Sequence, residues 1–424
     1  MKILVYGINY FPELTGIGKY SGEMCEWLAA RAHQVDVITA MPYYPNWEVL
    51  VPYKGKTWHK EEVNGVNVYR TPLYVPKNVN GKTRILHDFS FLASSVPFWT
   101  KAFFETYDIV FSVYPPLPIG LFPVMYKYLR RKPMFFHVKD LQVDAAKQLN
   151  IISNKTLLSI LEKMEKFFLK NATLVTTLTP EMRKRIIRKG IDADHVKLFP
   201  DWVDTSFMRP MYEERPVLKE KYGFQAWQHV VLYAGNIGEK QGLDGVIDVA
   251  TKLQSQGRND IQFMIVGEGA AKEKLVQTAK DRRLSNVKFS TLVPSRELPA
   301  LLNMADLHLV LQKKGATDLV MPSKLLGILP CGGIPLVAAE KGSGLRDLIE
   351  THNIGITTEP EDIDALLQSI LRFFDEPDYT LSRNARQYAV HHLTKDVILE
   401  SFESLMYQVV DKHRATVLAS AEYS

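Results

Sequence analysis

A lysine among glycines just ahead of a helix is equipped to hold a diphosphate. The run Asn236-Ile237-Gly238-Glu239-Lys240-Gln241-Gly242 follows the β-rich stretch Val230–Ala234 and leads into an expected helix from Gly242 through Leu253. A helix start carries unbonded N–H groups and the positive end of the dipole, and the Lys240 ammonium would add a full charge beside it. Such a group can receive the negative charge that develops as a phosphate departs. Gly16 and Gly18 follow the first strand, Lys2–Gly7, and glycine lets backbone N–H groups come close to a phosphate. The full G-x-G-x-x-G spacing and a ribose-binding acid are both missing there, so a dinucleotide site is not expected. Gly267-Glu268-Gly269 forms a third tight strand-to-helix turn, suited to passing near a base or ribose. Ser323 and Lys324 stand at a further expected helix start, with a hydroxyl and a cation for phosphate. His137 and Asp140 follow the strand Met134–His137, where ligands gather in parallel sheets. A histidine there could orient a sugar hydroxyl or steady an acceptor, or serve only as a hydrogen-bonded structural group.

The elements that must carry these residues alternate. Strands are expected at Ile3–Ile8, Val35–Thr39, Val66–Tyr69, Asp108–Ser112, Met134–His137, Leu174–Thr177 and Val196–Phe199. The second half repeats the pattern at Val230–Ala234, Gln262–Val266, Val287–Ser290, Leu307–Leu311, Pro335–Ala338 and Ile354–Thr358, and becomes helical after Asp362. Helices fall between strands, as the spacing of Leu157, Leu158, Leu161, Met164, Phe167 and Phe168 shows. Alternation of this kind predicts α/β architecture with parallel sheets covered on both faces. A chain of 424 residues exceeds one core, and two doubly wound domains are expected, facing each other across a cleft. Their bounds are read as 1–205 and 229–390, with a polar linker over 206–228 and a C-terminal helix and tail over 391–424 returning to the first domain. Residues 85–107 break the alternation with a dense aromatic run. They fit a buried helix or one lying on a membrane or a lipid-linked acceptor, kinked or ended at Pro97.

Composition is that of an ordinary globular protein, 46% hydrophobic and 23% charged. No apolar run reaches the roughly 20 residues that span a bilayer. No leader segment is seen, and Cys25 and Cys331 are the only cysteines, so a cytoplasmic protein without disulfides or a metal cluster is expected. Charge is uneven. Residues 1–205 hold 27 Lys+Arg against 19 Asp+Glu, and the remainder holds 25 against 28. A basic first half fits an acidic partner such as anionic head groups, a phosphorylated acceptor or nucleic acid, or is a plain solvated surface.

Taken together, these residues resemble glycosyltransferase family 4, nucleotide-sugar enzymes of the two-lobed GT-B fold. The likeness runs from Met1 to about Asp411, strongest at residues 233–238, 241–243, 265–269 and 322–324. The opening stretch 7–20 and Pro42-Tyr43-Tyr44-Pro45 are similar to the colanic-acid-type exopolysaccharide transferases. The resemblance implies transfer of a sugar, with fucose from GDP-fucose as the first choice and UDP-linked sugars next, to a saccharide acceptor that is lipid-linked. It implies Gly16 and Gly18 beside the donor phosphates, Lys240 on the diphosphate and His137 at the acceptor side of the donor sugar. Gly267 and Glu268 would lie near the base, with Val293 at its backbone contact. Asn236, Gly238, Ser323 and Lys324 complete the donor side, and Tyr43, Tyr44 and Asp140 the acceptor side. Two positions depart from the family pattern. Asn236 stands where an arginine is usual, and the usual glutamate pair is replaced by Leu319 and Gly327, which leaves the ribose role to Ser323 or Lys324.

The implied reaction is retaining and independent of any metal or other cofactor, with cations of the chain receiving the diphosphate. Peripheral contact with the inner membrane face is expected, and no nucleic-acid partner. Two rivals remain: a nucleotide-sugar epimerase on the same architecture, and a non-catalytic two-lobed sugar-binding protein.

Overall fold

The computed structural model describes residues 1–148, 154–313 and 323–422. The chain forms two compact units, one of Met1–Asp201 with the chain from Leu399 onward, the other of Trp202–Ile398.

In the first unit eight strands form one sheet: β1 (Lys2–Tyr6), β2 (Gln34–Ala40), β3 (His59–Val63), β4 (Val66–Thr71), β5 (Ile109–Tyr114), β6 (Met134–Val138), β7 (Leu174–Thr177) and β8 (Val196–Leu198), in the order 3-4-2-1-5-6-7-8. All neighbours run parallel except the β3–β4 hairpin. Every residue of β5 and β6 is buried, as a sheet covered on both faces requires. Helices α1 (Gly16–Ala30), α2 (Gly81–Phe104), α3 (Leu121–Arg130), α4 (Gln142–Gln148), α5 (Lys155–Asn171) and α6 (Pro180–Arg188) supply the cover. One face packs on α2, α3 and α5: Tyr6 stacks on Phe91 at 5.3 Å and meets Trp99 edge-on at 5.1 Å, and Phe136 meets Phe168 at 6.1 Å. Side chains alternate along each strand, so Phe111 and Phe135 face the other way. There they meet Phe402 of the C-terminal helix at 5.2 and 6.0 Å.

Two expectations change here. Strand β3 has no counterpart in the expected list. Its residues His-Lys-Glu-Glu-Val lack an apolar alternation, as suits a charged edge strand. Pro97 neither ends nor interrupts α2, which runs from Gly81 to Phe104. Ala93, whose carbonyl loses its helical N–H partner to the proline, is exposed, so water can take its place.

In the second unit six parallel strands, β9 (His229–Ala234), β10 (Ile261–Val266), β11 (Val287–Ser290), β12 (Leu307–Leu311), β13 (Pro335–Ala338) and β14 (Ile356–Thr358), lie in the order 11-10-9-12-13-14. The helices are α7 (Arg215–Lys221), α8 (Asp244–Ser255), α9 (Lys272–Asp281), α10 (Leu298–Met304), α11 (Leu325–Ile328), α12 (Gly344–His352), α13 (Ile363–Asp375) and α14 (Thr380–His392), and α15 (Lys395–Glu422) starts here but belongs to the first unit from Leu399 onward. Separate apolar clusters fill the two faces of this sheet.

The stretch 206–228 is not a linker. It carries α7, and Met208, Leu218 and Phe224 are buried in the second unit's core. Arg386 Nη1 donates to the carbonyls of Thr205, Met208 and Pro330, and Asn303 bonds to Met211 N and Arg209 O. Its polar residues are thus internal braces, and the chain passes between units at Asp201–Trp202. Leu399, Phe402, Met406 and Val410 of α15 are buried at helical spacing. Phe402 stacks on Phe199 at 3.9 Å, and Glu403 accepts from His33 at 2.7 Å, fixing this part of the helix to the first unit.

Candidate functional site

In the second unit, the loops leaving β9 and β10 are zipped together at their strand ends. Gly235 N donates to Val266 O at 2.9 Å, Ile237 N to Glu268 O at 2.8 Å, and Ala271 N to Ile237 O at 3.1 Å. Gly267 and Gly269 have φ of +153°, and a Cβ on them would lie 1.8 Å from Gly235 O and 2.3 Å from Ile237 O. These glycines, expected beside a base or ribose, are required by the approach of the two loops to each other. Glu268 is exposed and pairs with Lys272 at 2.8 Å, while Val293 is partly buried against the apolar core.

Gly235 is different. Its φ is +145°, and a Cβ there would fall 2.6 Å from Lys324 Cε and 3.3 Å from Nζ. The missing side chain makes room for the lysine stem. Lys324 Nζ stands 3.7 Å from the centroid of the Tyr233 ring, whose hydroxyl donates to Asn236 O at 2.5 Å. A cation over an aromatic face is attracted to it, but the ring carries no net charge to neutralise it. Among the described residues no carboxylate pairs with this ammonium, and burial alone brings its pKa down to about 8. A half-buried cation without a counter-ion among the described residues, beside the carboxyl end of a central parallel strand, is fit to receive an anion.

The remaining expectations for this corner fare unevenly. Asn236 is exposed and Gly238 half-buried, with the Gln241 side chain folded over Gly238. Helix α8 begins at Asp244, not Gly242, which instead takes φ +65° between a short 3-10 turn, Glu239–Gln241, and the helix. The N–H groups of Gly245 and Val246 already bond to Gly242 O and Leu243 O, and Asp244 puts a carboxylate in the first turn. The start of α8 is therefore a weaker anion site than its sequence promised. Lys240 lies in the 3-10 turn, and its side chain is outside the described residues, as are Leu319 and its neighbours. Ser323 is exposed and is not the capping residue: the residue at the cap of α11 is Lys324, and α11 spans four residues.

In the first unit the glycine loop is filled by a carboxylate. Gly18 faces Glu13, and a Cβ there would lie 2.7 Å from Glu13 Cβ and 2.9 Å from its carbonyl oxygen. Glu13 is buried, with its Oε1 accepting from the amides of Tyr43 and Tyr44 at 2.8 Å each and Oε2 from Asn9 Nδ2 at 2.8 Å. Burial raises its pKa, and the two amides and Asn9 oppose that shift. A carboxylate in this place disfavours the donor-phosphate role expected of Gly18. Gly16 is exposed with φ +56°, and a Cβ there would lie 3.9 Å from Tyr44 Cε1, an ordinary contact.

His137 also departs from expectation. It lies in β6, one residue before the strand's end, 1% exposed, with Nδ1 bonded to Thr176 Oγ1 at 2.9 Å and the ring stacked on Phe111. Burial holds its pKa well below the ordinary value. Strand alternation turns it toward the aromatic cluster under α15, so a catalytic role beside the donor sugar is not supported. Past the strand end come Lys139, paired with Asp201 and 4.5 Å from the Tyr20 ring, and half-buried Asp140. Burial raises Asp140, and Arg84 opposes this. Tyr43 is buried against His87 and Trp47, at 4.7 and 5.5 Å, so of the acceptor-side residues only Tyr44 and Asp140 reach the surface at this sheet edge. Nearby Asp88 on α2 is pushed up to about 7 by burial. Glu13, Lys139, Asp201 and Asp88 were not singled out from the sequence. Only Lys139, next to Asp140 at a strand end, offered a positional signal.

Comparisons with known proteins agree with this architecture. Residues 15–202 match the glycosyl transferase 4-like domain, and residues 214–392 match glycosyl transferases group 1. WcaI of Escherichia coli (strain K12), a glycosyl transferase assigned to colanic acid biosynthesis, is 39% identical over 95% of this chain and 98% of its own. Among solved structures, sucrose-phosphate synthase from Thermosynechococcus elongatus superposes with a TM-score of 0.71 at 16% identity, covering 97% of this chain and 99% of the other. HepE of Anabaena, solved in complex with UDP, gives 0.70 at 14% identity over 96% and 100%. At such identities the two structures share the fold, GT-B. With the family models and the E. coli relative, the chain belongs to the family 4, group 1 glycosyltransferases and is a sugar-transferring enzyme.

Proposed function

We propose that this glycosyltransferase moves fucose from GDP-fucose to a lipid-linked saccharide during assembly of a colanic-acid-type exopolysaccharide, at the cytoplasmic face of the membrane. The observation that carries the donor half is the Lys324 ammonium: a half-buried cation with no counter-ion among the described residues, admitted by Gly235 and supported by Tyr233. It stands beside position 236, where asparagine replaces the arginine usual in the family, and so restores the charge that the arginine would bring. Likeness to the E. coli colanic acid enzyme supports the polymer, and HepE's UDP makes a uridine donor the comparison to run.

In the proposed step, the bond between the sugar C1 and the diphosphate oxygen breaks as the acceptor hydroxyl oxygen bonds C1 on the same face. The hydroxyl proton passes to the departing phosphate oxygen, and configuration is retained. Lys324 stays protonated and receives the leaving charge, joined by Lys240 from the turn before Gly242. With two ammonium groups in that role, no metal is required, and activity should survive EDTA. Incubation with GDP-fucose or a UDP-sugar, with and without a saccharide acceptor, tests the reading. Free nucleoside diphosphate should appear only when acceptor is present. An altered sugar released from donor alone would make the protein an epimerase, and tight sugar binding without turnover would make it a binding protein.

A further inference from the structure

The two helical layers of the first unit carry opposite charge. Helices α2, α3 and α5, packed on one face of the sheet, hold nine Lys and Arg against three acids. On the opposite face, α1 and residues 399–422 hold three against six. The three acids of the basic layer are largely spent. Glu165 is buried beneath it and paired with Lys189, Glu162 pairs with Lys147 at 2.8 Å, and Asp88 is half-buried. Outward from the same layer point large apolar side chains: Leu86, Phe89 and Phe104 of α2, Tyr128 and Leu129 of α3, and Phe167 of α5. Phe104 is 85% exposed and Leu129 67%. On α2 the exposed residues 86, 89, 93, 96, 100 and 104 recur every three or four positions, which is one helix face turned to solvent. Scattered exposed leucines need no explanation, but a row of them across three adjacent helices does.

We propose that the outward face of α2, α3 and α5 docks on an anionic lipid bilayer. This rests on the membrane part of the reading above and gives it a surface. The chemistry selects that occupant. Lys82, Lys101, Arg130, Lys163, Lys166 and Lys170 stand among the apolar residues, and each cation near an anionic leaflet is drawn to its surface potential. Phenylalanine and leucine side chains among them would enter the head-group boundary. A second copy of the same face would bring like charges together, which opposes self-association. No helix among the described residues is long and apolar enough to cross a membrane, so the contact would be peripheral.

Sedimentation of the full chain with vesicles tests this. Vesicles of about one third phosphatidylglycerol should bind it, vesicles of phosphatidylcholine alone should not, and 0.5 M salt should weaken binding about tenfold or more. The double variant Phe104→Glu, Leu129→Glu changes only exposed positions. It should melt like the parent, lose vesicle binding about tenfold or more, and keep its rate on a water-soluble acceptor. Binding unaffected by that variant, absence of an anionic preference, or capture by RNA or self-association without vesicle binding would overturn the proposal. Transfer to the soluble acceptor is read in the same samples. A parent protein that transfers sugar but does not bind the anionic vesicles therefore sinks this surface alone, whereas absent transfer in the parent sinks the enzymatic reading.

Discussion

Each unit opens a β-strand into a glycine-bearing loop and a helix, and the two corners are filled by opposite charges. In the first, the gap at Gly18 holds the carboxylate of Glu13, bonded by three N–H donors. In the second, the gap at Gly235 holds the ammonium of Lys324, bonded by none among the described residues. Glycine spacing marks where chain segments approach closely. It does not say what enters the space, and that residue decides whether the corner repels a diphosphate or receives it. The carboxylate is satisfied and structural, whereas the ammonium has no such partner among the described residues.

The strongest break of this comparison exchanges the two charges for neutral groups. Lys324→Met should lower turnover about 10²–10³-fold with the fold retained, the size of one lost charge-stabilising donor. Glu13→Gln, which can still accept from the Tyr43 and Tyr44 amides, should leave nucleoside diphosphate affinity within about threefold. Titration calorimetry with GDP and initial rates on each variant would check both. If Glu13→Gln cost the affinity and Lys324→Met did not, the assignment of the diphosphate to the second unit would be reversed.

A backbone change separates room from charge. Gly235→Ala keeps Lys324 but places a methyl 2.6 Å from its Cε, at a φ that side chains rarely adopt. The lysine must move, and nucleotide affinity should fall about 30–100-fold. Gly16→Ala meets no atom closer than 3.9 Å, and its φ of +56° costs about 1–2 kcal/mol of stability with no loss of GDP affinity. Equal affinity losses in the two variants would mean that both corners touch the donor.

The fold was legible because the strands are apolar runs separated by helical periods, and those signals are local. Of the fourteen strands among the described residues, only β3 lacked an expected counterpart, although Asn64-Gly65 between it and β4, with φ of +50° and +80°, is a hairpin sequence. The linker reading failed for the reverse reason. Arg215 and Lys219 look solvated in sequence but pair with Asp306, far along the chain. In the site, Lys324 was legible as a cation at a helix start, but its lack of a counter-ion among the described residues was not, since that depends on how the other loops pack. The strand that carries His137 ends one residue later than expected, at Val138, and the alternation along it turns the ring inward.

Removing the first corner's carboxylate altogether is a test of stability rather than binding. Glu13→Ala would strand the buried amides of Tyr43 and Tyr44 and the Asn9 side chain, and should cost about 2–3 kcal/mol in urea unfolding. Lys324→Ala, which strands no partner among the described residues, should cost less or stabilise, because a half-buried unpaired charge is removed. The reverse order would mean that the ammonium is as well satisfied as the carboxylate.

The mildest test uses pH. With a pKa of about 8, Lys324 is about nine-tenths charged at pH 7 and about one-tenth at pH 9. GDP affinity should therefore fall about tenfold across that range, in which the diphosphate, with its last pKa near 6, keeps a constant charge. Stability of the free protein moves the other way. The folded pKa lies below the ordinary 10.5, so the unfolded chain binds more protons between about pH 8 and 10.5, and the stability of the parent relative to Lys324→Met should rise through that window. Lys324→Arg keeps its charge throughout and should flatten both slopes. An affinity profile as steep in the arginine variant as in the parent would assign the titration to another group, and the contrast between an occupied and a waiting corner would lose its electrostatic basis.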